Sequence, residues 1–207
     1  MISHTGTLHQ LLFPSVTWRM KSSGVYLTFD DGPHEKATPA VLKVLDKHKI
    51  RATFFLNGEA VKRNGALVKE VASAGHTIGI HAYHHSRLLA FSRTMTMDEI
   101  RKTEDIINNI VSLKIRLFRP PYGMLTWNTL RAVKELQYRI IMWSTLTGDY
   151  RTTWTDDRVV RTGLAKLSDG AILVFHDNNL TCTRISSVLS EIIAKIKERG
   201  FSFERIQ

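Results

Sequence analysis

The chain has 207 residues, of which 43% are hydrophobic and 23% charged, an ordinary globular mixture that favours one domain and argues against extensive disorder. A single cysteine, Cys182, excludes an intrachain disulfide and any site built from several cysteines. No run approaches the roughly 20 apolar residues of a transmembrane helix. The formal net charge of +10 favours anionic partners, without choosing between nucleic acid, an acidic envelope polymer and an anionic membrane surface.

The first 23 residues are weakly patterned, because Pro14 ends the short apolar run of Leu11, Leu12 and Phe13. No basic segment followed by an apolar core and a cleavage site is visible, so no secretory signal is predicted. We expect residues 1–23 to form an N-terminal arm and residues 24–207 to form a single domain.

From Val25 onward, short β-rich segments alternate with longer segments of helical spacing. The predicted strands are 25–29, 52–56, 77–80, 115–118, 138–143, 171–175 and 201–203. The predicted helices are 39–48, 98–113, 126–136 and 185–199. This alternation predicts a parallel sheet with right-handed crossovers, and seven strands are compatible with either a barrel or an open sheet.

Polar clusters follow five of the predicted strands, and the carboxyl ends of parallel strands are where chemistry collects. In the first cluster, Asp30 and Asp31 precede the turn-forming pair Gly32 and Pro33. The turn allows both carboxylates to reach one pocket in different roles. The alternative is a turn in which the aspartates make only local hydrogen bonds.

The second cluster contains His81 and His85, which are four residues apart and share one face if the segment makes a helical turn. With Asp31 they complete a set of two histidines and one carboxylate, which suits a catalytic zinc site. The alternative is a chance spacing. His84 is expected on the surface or in a supporting position.

The other three clusters also have two interpretations each. Two prolines after Arg119 make a rigid loop that positions the guanidinium and the backbone N–H of Tyr122, or the loop is only a stiff connector. Trp143 is either a wall for a sugar ring or a core residue. His176 leaves an apolar strand and is either structural or a general-acid candidate.

Taken in order, these segments resemble the NodB-homology polysaccharide deacetylases, carbohydrate esterase family 4. The matching segments are TFDDGP at 28–33, HAYHH at 81–85, RPPYG at 119–123, residues 143–150, and ILVFHD at 172–177. The resemblance implies an α/β fold, a distorted (β/α) barrel of about seven parallel strands in a single domain.

The resemblance also implies roles for matching residues. Asp30 matches the general base, and Arg119 matches the arginine that orients it. Asp31, His81 and His85 match the metal ligands. The implied cofactor is a divalent metal, zinc first, with cobalt or nickel as alternatives.

On the remaining positions, the Tyr122 backbone N–H matches the oxyanion donor, and Trp143 is a candidate for substrate contact. His176 matches the general acid, and Val174 matches an apolar residue that lines the acetyl pocket.

Two positions depart from the family pattern. Leu146 stands where many members carry a carboxylate that tunes the catalytic histidine, and Tyr150 stands where tryptophan is frequent. Asp149 is retained as a catalytic-site residue and is available to pair with Arg119, which leaves open the group that supports His176.

The resemblance therefore implies a metal-dependent hydrolase of carbon–nitrogen bonds that deacetylates N-acetylhexosamine units in a glycan such as peptidoglycan or a chitin-like oligosaccharide. The expected partner is the glycan, with no nucleic acid, no transmembrane segment and a monomeric chain. One alternative is a deacylase or deformylase of a small sugar-linked or cyclic amide. Another is a catalytically impaired carbohydrate-binding relative, which Leu146 favours. The family usually acts at the cell envelope, whereas no export signal is visible, so location stays open.

Overall fold

The computed structural model describes residues 11–207 and shows one α/β domain in which seven parallel strands curl into a half-barrel. The predicted fold class is confirmed. The strands are β1 Val25–Asp30, β2 Thr53–Leu56, β3 Thr77–Ile80, β4 Leu117–Phe118, β5 Arg139–Ile140, β6 Thr145–Leu146, β7 Ile172–His176 and the short β8 Phe203–Glu204.

The sheet has the order β5-β4-β3-β2-β1-β7-β6, and β8 pairs with the start of β1. All six residues of β1 are buried, as expected for a parallel strand covered on both faces. Phe29 in β1 stacks on Phe54 of β2 and Phe175 of β7, with ring centroids 4.9 and 5.6 Å apart. This aromatic layer holds the three strands that carry much of the site.

Seven helices connect the strands and bury their apolar residues in the same core. They are α1 Ala37–His48, α2 Gly58–Arg63, α3 Gly65–Ser73, α4 Arg93–Asn108, α5 Trp127–Glu135, α6 Asp156–Leu164 and α7 Ile185–Glu198. Two 3₁₀ turns lie at Arg87–Phe91 and Pro121–Gly123. Within residues 11–207, no helix is long and apolar enough to cross a membrane.

The structure differs from the prediction at several elements. Helix α4 runs from 93 to 108 rather than from 98 to 113, because the Ser92 hydroxyl caps it by accepting from the Met95 N–H at 3.3 Å. Helices α2, α3 and α6 and strand β6 were not predicted. Gly58 and Gly65 begin α2 and α3, where glycine favours the prediction of a loop.

The expected N-terminal arm falls only partly within the structure, since residues 1–10 lie outside the described part. The segment that follows packs on the sheet edge. Thr17 forms a parallel bridge with Ile141, just after β5, and Trp18 is only 5% exposed. This segment therefore extends the sheet at its β5 edge.

Candidate active site

A cavity of about 320 Å³ opens at the carboxyl ends of the strands. It gathers residues that are far apart in the chain because parallel strands all end at this edge. The predicted site residues that border it are Asp30, Asp31, His81, His85, Tyr122, Trp143 and His176.

The turn after β1 brings both aspartates to this cavity. Asp30 ends β1, and Asp31 has a left-handed backbone with φ of 79°. Buried Asp177 holds the turn, because its Oδ1 accepts from the Gly32 N–H at 3.1 Å and its Oδ2 accepts from the Thr38 hydroxyl at 2.5 Å. A Cβ on Gly32 would lie 2.1 Å from this carboxylate, so only glycine fits. Burial raises the pKa of Asp177 to about 8.

Arg119 is completely buried and orients Asp30. Its Nη1 donates to Asp30 Oδ1 at 2.7 Å and to Thr28 Oγ1 at 2.8 Å. Its Nε and Nη2 donate to the carbonyls of Ile141 and Met142 at 2.9 and 3.0 Å. A buried guanidinium held by four acceptors has little freedom to move, so it fixes the position of the Asp30 carboxylate.

The two predicted histidine ligands meet Asp31 at one point. Nε2 of His81 and Nε2 of His85 lie 3.6 and 3.4 Å from Asp31 Oδ1. One ligand atom from each of the three residues lies within 4.8 Å of the others. The two histidines do not lie on a helical turn, the conformation in which their spacing would place them on one face. The segment is irregular, with Ala82 at φ 61°, and this bend turns both rings toward the carboxylate.

The chemistry of these three residues fits a zinc-type ion. Asp31 Oδ1 is buried and has no hydrogen-bond partner among residues 11–207. Nδ1 of His81 lies 2.7 Å from the Arg119 carbonyl, a contact that assigns the proton to Nδ1 and leaves Nε2 as a ligand atom. Burial, together with the nearby His81, lowers the pKa of His85 to about 4 and keeps it neutral. Two imidazoles and one carboxylate are a known catalytic zinc set.

Asn178 is a site residue that the sequence analysis missed. Its Nδ2 donates to Asp31 Oδ2 at 2.7 Å, on the oxygen that does not face the histidines. Burial opposes ionisation of Asp31, but His176, His81, His85 and this amide together lower its pKa. The only signal in the sequence is its place two residues after His176.

His176 is paired with Asp149, which settles a question that the sequence left open. Asp149 Oδ1 lies 2.9 Å from His176 Nδ1, and Asp149 Oδ2 accepts from the His176 backbone N–H at 2.7 Å. Although burial lowers the pKa of His176, the Asp149 carboxylate raises it to about 9. Asp149 therefore does not pair with Arg119, and it supports His176 despite Leu146.

Tyr122 and Trp143 border the cavity on the side of the loop 119–123. The Tyr122 backbone is left-handed, with φ of 58°, and its ring lies 4.3 Å from the His85 ring. A Cβ on Gly123 would lie 2.4 Å from the Trp143 indole. The glycine thus lets the loop pack directly against the tryptophan.

Val174 does not border the cavity. It is fully buried on β7, two residues before His176 and on the same face, so it lies one layer deeper. It pairs in register with Leu146, which does border the cavity. Leu146 and Leu180 provide the apolar wall that was expected from Val174.

Glu99 on α4 anchors the loop between His81 and His85, the two predicted ligands, and no sequence pattern indicated it. Its carboxylate accepts from the backbone N–H groups of Tyr83 and His84 at 3.0 and 2.6 Å. It also contacts Nδ1 of the half-exposed His84 at 2.8 Å. His84 therefore binds Glu99 and stays outside the metal-type cluster, the group formed by Asp31, His81 and His85.

Comparison with known sequences agrees with this geometry. The sequence profile described as "Polysaccharide deacetylase" matches residues 19–141, more than half of the chain. The chain belongs to the polysaccharide deacetylase family. It is 34% identical over 180 residues to a peptidoglycan-N-acetylglucosamine deacetylase of Bacillus cereus. The match covers 86% of this chain and 65% of that relative's length.

Solved structures of relatives have the same fold. The Bc1960 peptidoglycan N-acetylglucosamine deacetylase, determined in complex with a hydroxamate-type benzamide, has a TM-score of 0.88 at 29% identity. That match covers 95% of this chain and 94% of the other. BA3943 of Bacillus anthracis, a family 4 pseudoenzyme, has a TM-score of 0.82 at 28% identity, covering 91% of this chain and 66% of the other. Members of this family therefore include both enzymes and an inactive relative.

Proposed function

We propose that this polysaccharide deacetylase is a metal-dependent N-deacetylase that releases acetate from N-acetylhexosamine units of a glycan, with peptidoglycan as the leading candidate. One observation carries the proposal. Asp30 and His176, a base-type and an acid-type group, are Cα partners on neighbouring strands and border the same cavity as the Asp31–His81–His85 cluster. Amide hydrolysis needs these three functions together.

In this proposal Asp31, His81 and His85 would hold the divalent metal, zinc first and cobalt or nickel as alternatives. When bound, such a metal polarises an amide carbonyl and lowers the pKa of water far below its bulk value, to about 7 at a good zinc site. Asn178 supports the site by keeping one Asp31 oxygen bound, which directs the other oxygen toward the histidines.

Asp30 would accept a proton from the attacking water. Arg119 binds Asp30 Oδ1 and fixes the plane of the carboxylate, so the base is oriented before substrate arrives. The Tyr122 backbone N–H would stabilise the oxyanion, and one such donor is typically worth about 3 kcal/mol.

His176 would donate a proton to the leaving amine. Its imidazole carries that proton at neutral pH because Asp149 raises its pKa to about 9. Trp143 would contact the sugar ring, and Leu146 with Leu180 would contact the acetyl methyl group, since these apolar side chains border the cavity.

Leu146 also allows the alternative of an impaired carbohydrate-binding relative. The contact between Asp149 and His176 favours the enzyme instead, because the support that a carboxylate at position 146 was expected to give is already present. A third possibility, hydrolysis of a small sugar-linked or cyclic amide, keeps the same catalytic groups and differs only in substrate.

The test is acetate release from N-acetylglucosamine oligomers and from peptidoglycan, using metal-free protein reconstituted with Zn²⁺ or Co²⁺. Metal-dependent release that is lost in Asp30→Asn supports the proposal. No release from a protein with one bound metal would favour the small-amide or the impaired alternative. Leu146→Asp, which introduces the carboxylate expected at this position, is then the first variant to assay.

A further inference from the structure

A second groove, of about 370 Å³, opens beside the catalytic cavity. Asp31, His85 and Asn178 border both, so the two spaces are continuous past the metal-type cluster. A group that lies in the groove is therefore attached close to the amide that reacts. The groove runs between the turn after β1, the end of α2 and the loop after β7.

An arginine side chain without an ion-pair partner among residues 11–207 borders the groove. Arg63, the last residue of α2, is exposed and borders the groove, and it forms no ion pair with any residue in 11–207. Asn64 steadies the wall beside it, because its Nδ2 donates to the Pro33 carbonyl at 2.9 Å. Asn179 lies on the opposite side, in the loop after β7.

His34 adds a ring N–H donor to the same groove. Its Nδ1 accepts from the backbone N–H groups of Lys36 and Ala37, both at 3.2 Å. The ring proton is therefore assigned to Nε2, the nitrogen that this contact leaves free to donate.

We propose that this groove binds a carboxylate on the sugar unit next to the reacting one, with Arg63 as the anion-binding residue. The inference rests on the proposed glycan deacetylase function and specifies its substrate as an acidic glycan. A guanidinium binds a carboxylate through two parallel hydrogen bonds, which gives orientation as well as affinity. The net charge of +10 draws such a polymer to the protein.

Two carboxylates also border the groove. The charge of Asp31 is engaged by His81, His85 and Asn178. Glu59, one turn before Arg63 on α2, is not engaged by an ion pair among the described residues and opposes an acidic ligand. Arg63 and Glu59 are therefore expected to affect an acidic substrate in opposite directions.

The experiment compares Arg63→Gln, Glu59→Gln and the matched control Lys62→Gln, which removes a neighbouring exposed charge that does not border the groove. The two substrates are an N-acetylglucosamine tetramer and a muramic acid-containing tetrasaccharide with free lactyl carboxylates. We expect Arg63→Gln to raise KM for the acidic substrate about tenfold, with kcat and the neutral substrate unchanged. Glu59→Gln lowers that KM, and Lys62→Gln matches wild type.

Equal effects of Arg63→Gln on both substrates, or an effect no larger than that of Lys62→Gln, overturn the inference. Failure of the proposed function is a separate result, in which wild-type protein with metal releases acetate from neither substrate. In that case, calorimetric binding of the acidic tetrasaccharide to wild type and Arg63→Gln decides the inference alone. Equal affinities overturn it, and a loss of about tenfold in the variant supports it.

Discussion

Asp149 binds His176 at two points, the ring Nδ1 at 2.9 Å and the backbone N–H at 2.7 Å. The carboxylate is completely buried, so this contact sets both the ring orientation and its charge. Leu146 stands where the resemblance predicted a carboxylate near this histidine, but Asp149, three residues later, is already in contact with it. The departure at position 146 therefore changes the cavity wall more than the support of the imidazole.

Asp149→Asn is expected to move the basic limb of the pH–rate profile to lower pH. In the wild type, Asp149 raises the pKa of His176 to about 9, so the protonated imidazole is lost only as pH rises through that value. Asparagine keeps the shape but removes the charge, so the imidazole loses its proton at lower pH. We expect kcat at pH 8 to fall roughly 10- to 100-fold.

The matched control is Asp156→Asn, which removes a half-exposed carboxylate that pairs with Arg184 at the surface. It should leave the profile unchanged. An Asp149→Asn profile that superposes on the wild type would show that His176 is not the titrating acid.

Asp30→Asn and Asp31→Asn should separate catalysis from metal binding. Asp31 Oδ1 faces both histidines, whereas Asp30 is bound by Arg119. We expect Asp30→Asn to lose turnover with the metal retained, and Asp31→Asn to lose the metal. Metal stoichiometry of the two purified proteins checks this. A metal-free Asp30→Asn protein would contradict the division of roles.

Arg119→Met should destabilise the protein strongly, independently of catalysis. The variant leaves Asp30 as a buried carboxylate without its partner, and removing one member of a buried pair typically costs about 3–5 kcal/mol. The measurement is urea unfolding of metal-free protein. Arg93→Met breaks an exposed pair with Glu135 and should cost less than about 1 kcal/mol. Similar losses in both variants would mean that Arg119 does not hold this end of the barrel.

The location of the site follows from sequence because it depends on strand ends. Strand β3 was predicted at its observed bounds, and β1 and β7 to within one residue at each end. Once these strands are parallel, the residues after them must meet at one edge, which brings Asp30, Asp31, His81 and His176 together. Buried apolar runs reveal such strands without any knowledge of their neighbours.

The contacts that complete the site depend on tertiary neighbours and leave no periodic signal. Glu99 lies on a helix whose spacing shows only which face is apolar, and nothing in that spacing indicates a carboxylate bound to the histidine loop. The bend at Ala82 stands in place of the helical turn that the histidine spacing allowed. Backbone bonds to α2 hold it, since the N–H of Gly58 donates to the Ala82 carbonyl at 3.0 Å. The contact of Asn178 with Asp31 and the contact of Asp149 with His176 likewise depend on tertiary neighbours.

We expect the buried His76 to lower the free energy of unfolding in acid. It is 7% exposed, its Nδ1 accepts from the Ala52 N–H at 3.0 Å, and burial lowers its pKa to about 4. The unfolded chain binds this proton near pH 6.5 and the folded chain only near pH 4, so the stability from His76 is complete above pH 6.5 and is lost as pH falls toward 4. The loss is at most about 3 kcal/mol.

The check on His76 is the free energy of unfolding of metal-free protein between pH 7 and pH 4, in wild type and His76→Gln. Glutamine offers an acceptor without a titrating ring, so the variant should show a shallower decline over this range. A decline of equal slope in both proteins would assign the acid sensitivity to other groups.

Glu99 should control metal affinity without touching the metal-type cluster. Its carboxylate accepts hydrogen bonds from the backbone N–H groups of Tyr83 and His84 and contacts the His84 ring. Both residues lie in the segment between His81 and His85. Removing groups that orient metal ligands typically costs about 10- to 100-fold in affinity. We expect that loss in Glu99→Ala, a smaller one in Glu99→Gln, and the smallest in His84→Ala, which keeps both backbone bonds. Competition with a zinc chelator measures the dissociation constants.

Asp98→Ala is the matched control, because it removes a neighbouring exposed carboxylate on the same helix. The ranking of zinc affinities among the three variants is the decisive result, since each variant leaves a different number of hydrogen bonds to the loop. If Glu99→Ala bound zinc as tightly as Asp98→Ala, the bonds from α2 would be sufficient to hold the loop. Those bonds are the N–H groups of Gly58 and Glu59 donating to the carbonyls of Ala82 and Tyr83 at 3.0 and 3.2 Å. If His84→Ala instead lost as much affinity as Glu99→Ala, the ring contact would be the one that positions the ligands, and the backbone bonds would be secondary.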